Sequence, residues 1–148
     1  MCILTSIIND CRRFDDTLTL DFATRVKSRF QAVSANNKTL KVLISRGYIL
    51  QDGDILSSDS SFRVIIKAAK EQLSVASSDD PLLLARASYH LGNRHTAIQI
   101  NIGNIYYKTD NVLDAMLKKL GLQISYKKVI FNPELGAYGQ FAISNHAH

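Results

Sequence analysis

Histidine is scarce in this chain, and what there is comes in two groups. His90 and His95 lie five residues apart in Tyr89-His90-Leu91-Gly92-Asn93-Arg94-His95, while His146 and His148 stand at the end of the sequence. Neutral imidazole is a good ligand for nickel, zinc and copper, so this grouping points towards metal handling. A single chain is nevertheless short of donors for a closed shell. Five residues is also not the i, i+4 spacing that sets two ligands on one helical face, so His90 and His95 share an ion only if a break at Gly92-Asn93 redirects the chain. The other reading of His90 is packing at a helix end with a satisfied hydrogen bond.

Other chemistry is sparsely supplied. There is no G-x-S-x-G elbow, no H-E-x-x-H and no phosphate-cradling glycine loop, so the residues point to no enzyme. Cys2 and Cys11 have eight residues between them and form no C-x-x-C pair, which reads as reduced structural cysteine and not as a zinc ribbon or disulfide framework. Tyr106, Tyr107 and Tyr138 read as packing residues.

A histidine at a helix end needs a fold to hold it. At 148 residues, 46% hydrophobic and 21% charged, the chain can bury a core as one ordinary domain or two small ones. Halves of about 70 residues are marginal alone, which favours docking or dimerisation. The formal charge of +5 favours acidic partners, but Arg12-Arg13, Lys67 with Lys70, and Lys118-Lys119 are scattered and read as solvated faces rather than a nucleic-acid tract. No cationic stretch precedes the apolar N-terminal residues, and no apolar run approaches the roughly 20 residues that span a bilayer. The expectation is a soluble cytoplasmic protein with no membrane contact.

The first half reads as short strands: residues 2–8, Leu18, Leu20 and Phe22 in alternation, 30–33, 40–44, Ile55-Leu56 and 62–66. Turn chemistry separates them at Ser34-Ala35-Asn36-Asn37-Lys38 and Asp52-Gly53. This predicts a small all-β domain over residues 1–70. The second half changes character. Residues 73–76 suit a strand, and Asp80-Pro81 starts a helix that runs to Leu91, with Gly92-Asn93 as a left-handed stop. Ile98, Ile100 and Ile102 then alternate up to a Gly103-Asn104 turn, which leads into 105–107. Asp110 or Asn111 caps a helix with the stripe Leu113, Met116, Leu117 and Leu120, and Gly121 closes it before a last strand through Leu122, Ile124 and Tyr126. The order β-α-β-β-α-β predicts a ferredoxin-like domain over 71–132 within an α+β protein. Residues 133–148 read as a short flexible tail.

RNA-binding RRM modules share that element order, but their third strand carries a stacking-aromatic signature that Ile105-Tyr106-Tyr107 does not match. The nearest string, Gly136-Ala137-Tyr138-Gly139-Gln140-Phe141, falls in the tail and out of register. No nucleic-acid partner is expected.

Longer strings carry more information. Tyr89-His90-Leu91-Gly92-Asn93-Arg94-His95 with Gln99-Ile100, Asp110-Asn111-Val112-Leu113-Asp114-Ala115-Met116-Leu117, and Phe131-Asn132-Pro133-Glu134-Leu135-Gly136-Ala137-Tyr138 resemble the urease accessory protein UreE family of nickel metallochaperones. Arg46-Gly47 and Asp52-Gly53-Asp54-Ile55-Leu56 fit as well, so the resemblance covers most of the chain in the family's order. It implies a cytoplasmic homodimer with an N-terminal domain that binds peptides or partners and a C-terminal domain for metal binding and dimerisation. It also implies a Ni2+ ligand at His95, paired by two-fold symmetry with its copy in the other chain. His146 and His148 would add donors, and His90 would stand in second position behind them.

The implied function is delivery of Ni2+ to apo-urease during metallocentre assembly, with the accessory GTPase UreG and the urease pre-activation complex as partners. Zn2+ and Cu2+ compete for such ligands. Two departures narrow the expectation. The tail ends in Asn145-His146-Ala147-His148 and not in a long polyhistidine run, so few ions per dimer are expected. Tyr107-Lys108-Thr109-Asp110 stands where some members carry an extra histidine pair, so a second site is not expected. The alternative is a peptide- or RNA-binding module without metal, whose nucleic-acid binding would be salt-sensitive and indifferent to chelators. A third reading, a structural zinc protein, predicts loss of fold on chelation.

Overall fold

The computed structural model describes residues 2–8 and 13–135. The chain falls into two compact units that meet between Ala69 and Lys70.

The first unit contains β1 (Cys2–Leu4), β2 (Ser6–Ile8), β3 (Asp16–Leu20), α1 (Phe22–Arg25), β4 (Arg29–Val33), β5 (Thr39–Leu43), β6 (Ile55–Ser57) and β7 (Arg63–Ala68). They form two sheets, ordered β1-β5-β4 and β2-β6-β7-β3. The apolar N-terminal run serves both. It changes sheet at Thr5, whose N–H donates to the Ser57 carbonyl at 3.1 Å. Leu4, Leu18, Leu40, Val42, Leu56, Val64 and Ile66 come from both sheets into one core and are almost wholly buried. Each such side chain contributes about 1.5–3 kcal/mol relative to exposure.

The alternation expected through Phe22 stops at Leu20. The Asp21 carboxylate accepts from the Thr24 N–H at 2.9 Å and starts a single helical turn instead. That turn buries Arg25, whose guanidinium donates to the Leu50 carbonyl at 3.0 Å and lies 5.3 Å from the centre of the Phe22 ring.

The second unit contains β8 (Lys70–Ser77), α2 (Pro81–Asn93), β9 (Gln99–Asn101), β10 (Asn104–Lys108), α3 (Asn111–Leu120) and β11 (Gln123–Ile130). Its sheet is ordered β11-β8-β10-β9, with β10 antiparallel to both β8 and β9 and β11 antiparallel to β8. This is the expected ferredoxin-like split βαβ arrangement. Ala76, Ala87, Leu91, Ile105, Tyr107, Leu113, Leu117 and Leu122 make its core. Asp110 caps α3 by accepting from the N–H groups of Val112 and Leu113, and Gly121 ends it at φ 113.

The β9–β10 turn lies one residue earlier than expected. Asn101 pairs with Asn104, so Ile102-Gly103 make the turn, with Gly103 at φ 82 and Ile102 fully exposed. Among the described residues, no helix is long and apolar enough to cross a membrane.

Candidate metal centre

The helix that presents the histidines is built from both ends. At its start the Asp80 carboxylate accepts from the Leu82 N–H at 2.9 Å, and Pro81 occupies the first turn, where its missing donor costs nothing. At its far end it does not stop at Gly92-Asn93. Both remain in α2, Arg94 is the C-cap, and His95 takes the left-handed conformation at φ 59. The Thr96 N–H donates to the Leu91 carbonyl at 3.1 Å and the His95 N–H to the Gly92 carbonyl at 3.0 Å, the paired bonds of a Schellman cap. Glycine normally fills that position, because a Cβ is strained at positive φ. Here the chain places an imidazole there, and such outliers concentrate at functional sites.

The two histidines therefore differ in setting. His90 sits in the last turn of α2, half-buried, with its ring edge-on to Tyr89 at a centroid separation of 5.4 Å and an angle of 75°. His95 lies beyond the last turn and is exposed. Among the described residues, no three His, Cys, Asp or Glu side chains gather as a metal site. His146 and His148 lie outside the described residues.

The start of the expected tail is tied down. Phe131 is 1% exposed and Pro133 is buried. The Asn132 N–H donates to Gln99 Oε1 at 2.9 Å, and the Glu134 N–H to the Ile98 carbonyl at 2.7 Å. These bonds lead the chain along β9 to Ile98, three residues from His95, before the described residues end at Leu135.

One polar centre of this unit escaped sequence reasoning. Tyr107, Ser74 and Tyr126 pair across β10, β8 and β11 and so share the face that α3 covers. Above them Asp114 is 3% exposed; the Tyr107 hydroxyl donates to its Oδ1 at 2.6 Å and the Tyr126 hydroxyl to its Oδ2 at 3.0 Å. Burial, followed by the hydrogen bond to Asp114, raises the Tyr107 phenol well above its ordinary range. The same carboxylate raises Tyr126, chiefly through its hydrogen bond. The available signal was an acid beside Leu113 on the buried stripe, facing strands that each carry a tyrosine at the matching position.

Two family models divide the chain as the structure does. The N-terminal domain of the UreE urease accessory protein matches residues 10–69, and its C-terminal domain matches 71–148. The class is that of urease accessory proteins. Proteins named urease accessory protein UreE are similar along most of the chain. That of Shewanella halifaxensis is 44% identical over 139 residues, spanning 94% of this chain and 81% of that protein. That of Alkalilimnicola ehrlichii is 45% identical over 139 residues, spanning 94% and 85%, and that of Escherichia coli O157:H7 is 40% identical over 149 residues, spanning 100% and 95%. The chain belongs to the UreE family.

Proposed function

We propose that this protein is a nickel carrier of urease maturation, which binds Ni2+ as cargo and passes it towards apo-urease with the accessory GTPase UreG. The family supports the role in urease maturation. The observation that carries the metal reading is His95 in the left-handed cap position of α2, an exposed imidazole held by a rigid cap with no set of three donor side chains around it among the described residues. An incomplete site of this kind suits a carrier. In a homodimer the two-fold axis supplies a second His95, and the tail histidines complete and release the shell. From Leu135, the eleven residues to His146 span at most roughly 36–40 Å when extended, ample to return to β9 or to cross to a partner chain.

Imidazole donors do not by themselves prefer nickel, since copper binds more tightly and zinc competes. Selectivity then rests on geometry and on which ion is available. His90, inside the helix and against Tyr89, positions the helix end and is not counted as a ligand.

Calorimetric titration with Ni2+ tests the reading. Wild type is expected to take about one tight ion per two chains. His95→Ala should lose that ion, removal of His146 and His148 should weaken it, and His90→Ala should keep the stoichiometry. Unchanged stoichiometry and affinity in His95→Ala would sink the assignment.

A further inference from the structure

Between Asp21 and Asp52 the sequence has no acidic residue and six cationic ones: Arg25, Lys27, Arg29, Lys38, Lys41 and Arg46. Two of them are used internally, Arg25 beneath Leu50 and Lys38, whose Nζ sits 4.9 Å from the centre of the Phe62 ring. Arg29 and Arg46 instead line a surface cavity of about 350 Å³ together with Ser28, Leu43 and Ile44. Among the described residues neither guanidinium has a hydrogen-bond or ion-pair partner, and the Ser28 hydroxyl is likewise unengaged. Like charges that line one cavity repel, and an anion between them relieves that repulsion.

Backbone bonds fix the walls of this cavity. On one side Ser28 and Arg29 lead from α1 into β4, and on the other Leu43 ends β5 and Ile44 follows it. The Ile44 N–H donates to the Ser28 carbonyl at 2.8 Å, and Arg29 pairs with Leu43. The chain then turns: the Tyr48 N–H donates to the Ser45 carbonyl at 3.4 Å and Gly47 takes φ 85, which puts Arg46 at the first corner of the turn. Beyond it Leu50 is clamped to α1. Its N–H donates to the Arg25 carbonyl at 3.1 Å, and its carbonyl accepts from the Arg25 guanidinium at 3.0 Å. The side chains of Arg29 and Arg46 are exposed, but the backbone segments that carry them cannot separate without breaking these bonds. A ligand held between them has little chain left to order.

We propose that Arg29, Arg46 and Ser28 bind the phosphate group of a small aliphatic phosphate monoester. Each guanidinium presents a fork of N–H donors that matches two phosphate oxygens, and the Ser28 hydroxyl adds a further donor. A carboxylate, with two oxygens and one charge, is filled by a single fork. A phosphate monoester carries a charge of about −1.5 to −2 at neutral pH and three acceptor oxygens, so it engages both forks and the hydroxyl. Leu43 and Ile44 give the ester carbons an apolar wall. The cavity stands at the small end of the roughly 300–1,000 Å³ that ligand sites occupy, which suits a compact molecule. Among the described residues no aromatic side chain lines it, so nothing there stacks a base, and that disfavours a nucleotide or a single-stranded nucleic acid. The inference concerns a small anion and rests neither on the metal reading nor on polypeptide binding.

The test is an amide NMR titration of the full chain at constant ionic strength, in EDTA, which removes the metal question. The probes are glycerol phosphate, inorganic phosphate, acetate and a single-stranded oligothymidylate. Both phosphates should bind saturably and shift the amides of Ser28, Arg29, Ile44 and Arg46. Acetate should bind about tenfold more weakly than glycerol phosphate or worse. Arg29→Gln and Arg46→Gln should each weaken glycerol phosphate about tenfold, and Arg46→Lys, which keeps the charge and loses the fork, should weaken it as well. Lys41→Gln removes the same charge two residues from Leu43 on β5 and should leave binding unchanged. If a glutamine variant fails to fold, Arg46→Lys and the shift map of the wild type decide. Absence of saturation, shifts centred away from these residues, an equal loss in Lys41→Gln, acetate matching glycerol phosphate, or tighter binding of the oligonucleotide overturns the proposal.

Discussion

The ferredoxin-like unit holds two polar centres of opposite character. Asp114 is buried and closed: each carboxylate oxygen receives a phenol, and α3 and three strands supply the whole arrangement. His95 is exposed, sits at positive φ in the cap of α2, and has no set of three donor side chains around it among the described residues. A centre that a single chain completes has no vacancy for a ligand and serves the fold. One that a single chain leaves short of donors, at a conformational cost, is where a ligand or a second chain has room to act. Asp114 would be counted as a candidate site by burial and chemistry alone, yet both of its oxygens already accept a phenol from this chain.

The largest effect expected from this contrast is on stability. Asp114→Ala leaves the hydroxyl of Tyr107, in a wholly buried side chain, without its acceptor, and should destabilise the unit by about 2–3 kcal/mol. Urea unfolding followed by circular dichroism would measure it, while Ni2+ stoichiometry in the folded variant should be unchanged. Loss of Ni2+ binding without loss of stability would reverse the roles assigned to the two centres.

A second buried carboxylate, in the first unit and with its Oδ2 left without a hydrogen-bond partner, extends the comparison to pH. Asp16 is 4% exposed, and its Oδ1 accepts from the Thr17 and Asn36 N–H groups at 2.8 and 3.2 Å. Burial alone would raise its pKa. The hydrogen bonds from Ser34, Thr17 and Asn36, with the Lys38 charge, outweigh burial and hold it below the usual carboxylate range. A depressed folded-state pKa stabilises above the unfolded value near 4, and that contribution is lost as pH falls through the folded one. Asp16→Asn should cost about 1 kcal/mol at neutral pH. In urea unfolding series from neutral to acid, its stability should fall less steeply below about pH 4 than that of wild type. Parallel curves would show that Asp16 is not the group responsible.

The ferredoxin-like unit was legible because its signals are local. Asp80-Pro81, Asp110 and Gly121 mark helix ends by chemistry that acts within a few residues. The division of the first unit into two sheets was not legible, since β1 with β5 and β3 with β7 are parallel pairs between distant segments and leave no short-range pattern. Nor was α1, four residues long and without a period to detect. At the candidate site the string around His95 singled that residue out, but its left-handed conformation was not readable. Gly92-Asn93 offers the better left-handed residues, yet the helix carries both beyond the buried Leu91 before it turns.

The cap conformation yields the smallest effect and the sharpest separation of fold from function. At φ 59, His95 bears the Cβ strain that glycine would avoid, about 1 kcal/mol or more for an ordinary residue and less for histidine. His95→Gly removes that strain but gives the unfolded chain more freedom, which offsets part of the gain. The expected net is a protein more stable by about 0.5 kcal/mol that no longer binds Ni2+ tightly. His95→Ala keeps the strain and loses the ligand as well, so its stability should fall below that of the glycine variant. Urea unfolding of the two variants, each paired with Ni2+ calorimetry, measures both terms. If the glycine variant proves less stable than alanine, the imidazole cap costs the fold nothing, and strain can no longer be counted among the reasons for assigning function to that position.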